Sequence, residues 1–355
     1  MRWLGRFAFA LAACWLGSAW ASLATYPFQL ESTRHDDRQE IRGINKGPAP
    51  IWLLLTLKDP SNIQSDKTWP VTALVAPRET LTIAELFAAD PSKPFSFGIT
   101  TAYSLGDPTA RPDSGAVYRL PYADGLSFPI SQAPGVPPTS HTTPASKNAV
   151  DFTMPEGTPV VAARAGVVID VDLIHQDSGQ DTALMDKANI VQLLHQDGTM
   201  AIYAHLKPGA PTVVLGQRVA VGQQLGWSGN TGYSSGPHLH FAVLQNVADA
   251  SGHSHLESIP FRFTVRDASV LPAPGMILLA DYAPVTTKAA DEPASKAPQG
   301  ADPPLTAWIR DDQLAGIAAW MGTRSPMFWP LILLEGVLIL VIANNVRRIM
   351  IARDR

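Results

Sequence analysis

The chain has a single cysteine, Cys14, and it lies inside an apolar N-terminal stretch. Neither a disulfide framework nor thiol chemistry is therefore available to the sequence that follows. Charge is scarce as well: charged residues make up 16% of the chain and the formal net charge is −4. No basic field points to a nucleic-acid partner. No internal repeat is evident in the sequence. A length of 355 residues predicts about two domains with additional segments.

The two ends carry the long apolar runs. Residues 1–21 begin with Arg2 and Arg6, continue through an apolar stretch and close on Ala19, Trp20 and Ala21, the layout of a secretory signal peptide cleaved before Ser22. Leu11 to Cys14 resembles a lipobox, but lipidation there would leave a very short apolar region, and ordinary cleavage is expected. Residues 327–345 are predicted to form one transmembrane helix, with the basic tail 346–355 in the cytoplasm. The protein is thus expected as a single-pass protein of the cell inner membrane, its folded part on the periplasmic or extracellular side. Glu335 would cost about 3 kcal/mol at mid-span if ionised, which protonation or a polar partner helix in the membrane would relieve.

Between the ends the expected class is all-β. Residues 22–125 show short apolar runs broken by Pro, Gly, Asn and Asp, and read as an antiparallel β-sandwich domain. Within it, residues 80–87 (TLTIAELF) are expected as a brief helical turn. Residues 126–265 read as a second antiparallel β-domain, too polar at its turns for a membrane barrel. Residues 266–304, rich in Pro and Ala, are expected as an extended linker, followed by a juxtamembrane segment at 305–326.

The second β-domain carries the chemistry. In SSGPHLHFAV (234–243), His238 and His240 are two apart in an apolar run, so a strand would point both imidazoles to one face. Tyr203 and His205 in IYAHL would share a face in the same way, while His141 lies in a loop and Asp151 opens a strand. Zinc is held by imidazole nitrogen and carboxylate oxygen, and a catalytic site keeps three protein ligands and one open position. This supply of groups fits a hydrolytic zinc centre. His195 at a hairpin tip and His175 in a polar stretch are expected on the surface, and His253 and His255 in a flexible loop outside the site.

The runs AVDFTMPEGTPVVAARAGVV, YAHL and VGQQLGWSGNTGYSSGPHLHFAV, in that order, resemble the lysostaphin/LytM family of zinc metallopeptidases, which cut peptide cross-links of bacterial peptidoglycan. The resemblance covers roughly residues 137–245. It implies the family's duplicated hybrid β fold, a Zn2+ ion, and the metal ligands His141, Asp151 and His240. It further implies His205 and His238 as catalytic histidines, with Tyr203 as a further oxyanion donor. The first motif departs from the family pattern: nine residues (142–150) separate His141 from Asp151, where three are usual. The competing expectation is a non-catalytic family member that scaffolds or activates other wall hydrolases. The segment GTPVVAARAGVV is also similar to sugar phosphotransferase carriers, which work in the cytoplasm and need neither a leader nor a metal-ligand Asp.

Overall fold

A computed structural model of the chain describes residues 26–137 and 139–282. The expected signal peptide, the transmembrane helix with Glu335, the juxtamembrane segment and the basic tail lie outside the described residues. Among the described residues no helix is long and apolar enough to cross a membrane. They are all-β apart from a single 3-10 turn at Thr182–Leu184.

Seven strands come first: β1 (Phe28–Arg34), β2 (Arg38–Asn45), β3 (Ile51–Ser61), β4 (Ile63–Ser65), β5 (Val71–Val75), β6 (Thr80–Ala88) and β7 (Ser96–Leu105). They form a four-stranded sheet in the order β1-β2-β6-β4 and a three-stranded sheet in the order β5-β3-β7. Residues 80–87, expected as a helical turn, are the strand β6. Leu81 and Ile83 alternate with exposed Thr80 and Thr82, a register shift at Ile83 changes the phase so that Ala84 and Leu86 are buried in turn, and pairing with β2 on one side and β4 on the other satisfies the backbone.

The second part contains β8 (Ser127–Gln132), β9 (Val150–Thr153), β10 (Pro159–Val161), β11 (Gly166–Asp172), β12 (Ser178–Gly179), β13 (Ile190–Leu194), β14 (Met200–Ala204) and β15 (Arg218–Val219). It continues with β16 (Gln224–Trp227), β17 (Gly232–Tyr233), β18 (His238–Ala248), β19 (Ser254–Ser258), β20 (Phe263–Val265), β21 (Ala268–Val270) and β22 (Ile277–Leu279). The central sheet runs β15-β11-β13-β14-β18-β9-β8-β22, with β19 added to the far half of β18. The expected linker of 266–304 therefore starts too early. Ile277–Leu279 pairs with β8, Ala280 is fully buried, and the Tyr282 hydroxyl accepts from the Leu120 amide.

The central sheet is covered on both faces, which is why β13, β14 and β18 read as near-continuous apolar runs. Val191, Leu193, Ala201, Tyr203, Phe241 and Val243 face one core together with Phe152 and Phe263. Ile190, Met200, Ile202, Ala242 and Leu244 face the other, a cluster that extends without a break to Ile41, Leu53, Leu55 and Leu86 of the N-terminal sheets. Polar bonds reinforce this junction: Trp52 Nε1 donates to Gly252 O at 2.9 Å, and Asn246 Nδ2 donates to Ser104 Oγ and Gly106 O, each at 2.9 Å.

His195 is buried beneath Tyr118, not exposed at its hairpin tip, with ring centroids 5.7 Å apart. Its Nδ1–H donates to Ala165 O at 2.8 Å, and burial pushes its pKa down to about 4.

Two outcomes follow for stability. Ile202→Ala is expected to cost about 2–5 kcal/mol and to lower the urea midpoint of residues from both parts together in one transition, read by tryptophan fluorescence. The His195 contribution is fully present above pH 6.5 and is lost as pH falls towards 4, because only the unfolded chain binds the proton there. Urea titrations should show about 3 kcal/mol of this loss, absent in His195→Asn, which keeps a donor for Ala165.

Candidate functional site

The register of β18 builds the centre of the site. His240 stands opposite Asp151 on β9 and opposite Ala204 on β14. Directly opposed residues share a face, so the imidazole and the carboxylate project together from the sheet. His240 Nδ1 lies 3.0 Å from Asp151 Oδ1, and His141 Nε2, arriving from the loop before β9, lies 3.1 Å from Asp151 Oδ2. One ligand atom from each of the three residues falls within 4.8 Å of the others. Ligands at zinc's bond lengths on a tetrahedron stand roughly 3.3 Å apart, so these separations fit that ion. Two neutral nitrogens and one carboxylate leave a coordination position open, as in catalytic and unlike structural zinc sites.

The electrostatics suit a cation. Burial disfavours charge on Asp151, but the hydrogen bonds and charge of His141 and His240 outweigh it and hold the carboxyl well below its usual range. Burial likewise lowers His240, although Asp151 opposes the shift. A deprotonated carboxylate and a neutral imidazole are the forms in which these groups ligate a metal.

The other two histidines reach the site by different routes. Strand alternation would put His205 on the face of Tyr203, but β14 ends at Ala204 and His205 has φ 61°, in the left-handed region. This turn swings its ring to the metal-ligand face, 4.3 Å from the His238 ring and 5.9 Å from that of His240. Tyr203 stays on the opposite face, fully buried, its hydroxyl accepting from Ala163 N at 2.8 Å. It is not placed to reach an oxyanion at the site. His205 Nδ1 lies 2.7 Å from Thr231 O, and His238 Nδ1 lies 2.8 Å from Gly236 O and 3.2 Å from Ser234 Oγ.

A fully buried Asn189 supports the strained turn at His205. Its side chain donates to Leu206 O and His175 O and accepts from His175 N, and its backbone oxygen accepts from Leu206 N. Its amide donates to Thr231 Oγ1, which in turn donates to Leu206 O. The side chain thus holds two loops, at His175 and Leu206, and the backbone amide holds the third at Thr231. Of the three glycines in the loop before β18, Gly232 has φ 77° and a Cβ there would meet Ala188 N at 2.5 Å. A Cβ on Gly229 would meet Lys207 N at 2.6 Å, whereas Gly236 faces open space. His175 is partly buried beside Asp172, and His253 contacts Ser251 away from the cluster.

Sequence reasoning missed Asn189 and Gln132, whose Nε2 donates to Asp151 Oδ2 at 2.8 Å. Both are distant in sequence from the groups they hold, and no motif marks them. Thr231 and Ser234 were missed as well, although they lie inside the glycine-rich run GNTGYSSGPH that carries His238.

A buried cluster of two histidines and one aspartate on a β-sheet, with two more imidazoles alongside, defines a candidate metallohydrolase site. Residues 145–251 match the family model for Peptidase family M23, and the chain carries a domain of that family. The match includes Asp151, His205, His238 and His240, and begins just after His141. The glycyl-glycine endopeptidase ALE-1 of Staphylococcus capitis is 35% identical over 32% of this chain and 28% of that protein. The peptidoglycan DD-endopeptidase ShyA of Vibrio cholerae is 39% identical over 28% of this chain and 20% of that protein. Among solved structures, the catalytic domain of lysostaphin from Staphylococcus simulans is 30% identical, covering 38% of this chain and 87% of that one, with a TM-score of 0.23. The matched region spans little more than a quarter, at most, of these curated relatives.

Asn189→Ala removes the side chain that joins the His175 and Leu206 loops and leaves buried backbone groups unpaired. It is expected to cost about 1–3 kcal/mol in urea unfolding and to speed amide exchange at Leu206.

Proposed function

We propose that the protein is a zinc-dependent metalloendopeptidase that hydrolyses peptide cross-links of bacterial peptidoglycan. In this reading it is held in the inner membrane by residues 327–345, with its site on the periplasmic side. The observation that carries the reading is the convergence of His141, Asp151 and His240 within bonding reach of one ion, flanked by two non-ligand imidazoles. A bound zinc ion supplies Lewis acidity that activates water and polarises a peptide carbonyl. Peptidoglycan as substrate is supported by the relatives, one named as a glycyl-glycine endopeptidase and one as a peptidoglycan DD-endopeptidase.

The chain's own groups divide the work. His205 and His238 each donate their Nδ1 proton to a backbone carbonyl, an acceptor only, which leaves the lone pair of Nε2 for proton transfer. Burial, with His238 and His240 beside it, pushes His205 down to about 3. It is neutral at pH 7 and so enters the reaction as a proton acceptor. His238, partly exposed at the start of β18, donates from Nε2 only once that nitrogen has taken up a proton, and in that form it would hydrogen-bond to the oxygen that gains charge or pass the proton to the departing amine.

The purified chain is expected to hold one zinc ion and to release soluble peptides from purified peptidoglycan. His240→Ala should lose both the metal and the release. His238→Ala should keep the metal and lose about 10²–10⁴-fold in rate. A zinc-loaded, folded chain that leaves peptidoglycan intact would instead support the non-catalytic scaffold reading.

A further inference from the structure

We infer that Gln132 is a positioning residue that clamps two of the metal ligands, Asp151 through its carboxylate and His141 through the backbone of Ser140 just before it. The inference rests on the zinc-site reading above.

A β-bulge aims Gln132 at the site. β8 pairs with β9 with Ile130 opposite Phe152, but the register then shifts so that Gln132 stands opposite Asp151. Ile130 and Phe152 belong to the core on the far side of the sheet. Without the shift, the two-residue period would send Gln132 to that core as well. The extra residue at Ser131 turns it instead onto the face of Asp151, as bulges do where a side chain must be re-aimed. Ser131 also reaches the same partner strand, its Oγ donating to Asp151 O at 3.3 Å.

The two ends of the Gln132 amide have separate tasks. Nε2 donates to Asp151 Oδ2 at 2.8 Å and lies 3.1 Å from Ser140 Oγ. Oε1 accepts from Ser140 N at 2.8 Å and lies 3.3 Å from Ser140 Oγ. Ser140 is the residue directly before His141. One side chain therefore ties the ligand carboxylate on β9 to the backbone that delivers the histidine.

His141 needs such a tie. It sits on a loop, not on a strand, and eight residues (142–149) separate it from β9. Metal-binding histidines are commonly oriented by an acceptor on their second nitrogen. Here His141 Nδ1 is buried and has no hydrogen-bond partner, so the ring is placed by its backbone. The far half of the loop is held by Ser258, which donates from its amide and its hydroxyl to Pro144 O, each at 2.9 Å, and whose oxygens accept from Asn148. On the near side, Gln132 supplies the tie to the sheet.

The test is the zinc affinity of the purified full chain, measured by competition with a chromogenic chelator. Gln132→Met, similar in length but unable to bridge, is expected to bind zinc about 10–100-fold more weakly. Its metal-free unfolding midpoint should stay near that of the unsubstituted protein, and the Ser140 amide should lose protection from exchange. Ser140→Ala keeps the backbone N–H and should bind zinc nearly as well as the unsubstituted protein. If Gln132→Met does not fold, Gln132→Asn, too short to span both partners, is read in the same way. Unchanged affinity in a folded Gln132 variant overturns the inference, and so does a lowered midpoint with affinity intact. Failure of the unsubstituted chain to bind zinc overturns the metal-site reading itself and this inference with it.

Discussion

The antiparallel register of β18 against β9 is the constraint on which the site depends. Opposing His240 to Asp151 brings an imidazole and a carboxylate into contact on one face, while Leu239, Phe241, Val150 and Phe152 fill the core on the other. A slip of one residue would turn Asp151 into that apolar core and the aromatic rings out of it. Folding therefore cannot bury Phe152 and Phe241 correctly without also assembling these two ligands. The metal-binding face is a by-product of the hydrophobic pattern, set before any ion arrives.

What surrounds the pair is built by departures from regular strand geometry. Alternation alone would leave His205 beside Tyr203 and Gln132 beside Ile130, both on the wrong face. A left-handed residue at the end of β14 and a bulge in β8 reverse each in turn. Such conformations persist only when their surroundings over-determine them, and at His205 that support is the Asn189 and Thr231 network. The same sheet rests on the N-terminal strands through Ile202, Ala242 and Leu244. The site thus stands on a face whose lower part is sealed by a second apolar layer, which supports the strands that carry the site.

Much of this was legible in the residues. Short alternating runs identified two β-rich parts, and His238, His240, Asp151 and His205 stood out by type and spacing inside family-like motifs. His141 was named as a ligand by the resemblance alone, across a spacing to Asp151 that departs from the family pattern, and the matched family region starts after it. Periodicity failed where the backbone broke its own rule: it assigned Tyr203 to the site face, hid Gln132, and left His195 on the surface although Tyr118 covers it. The TLTIAELF run misled because Leu, Glu and Ala also favour helices, and only pairing with β2 and β4 decides the matter.

By itself the sequence determined the all-β class, the supply of zinc-type donors and the family of the second domain, because composition, two-residue alternation and local motifs are properties of neighbouring residues. Only the tertiary structure decided which donors meet. Asp151 and His240 are joined by strand register, His141 by a loop anchored at both ends, and Gln132 and Asn189 by contacts that span the fold. Those choices depend on which face each residue presents after every bulge and turn has been made, and no local pattern encodes that sum.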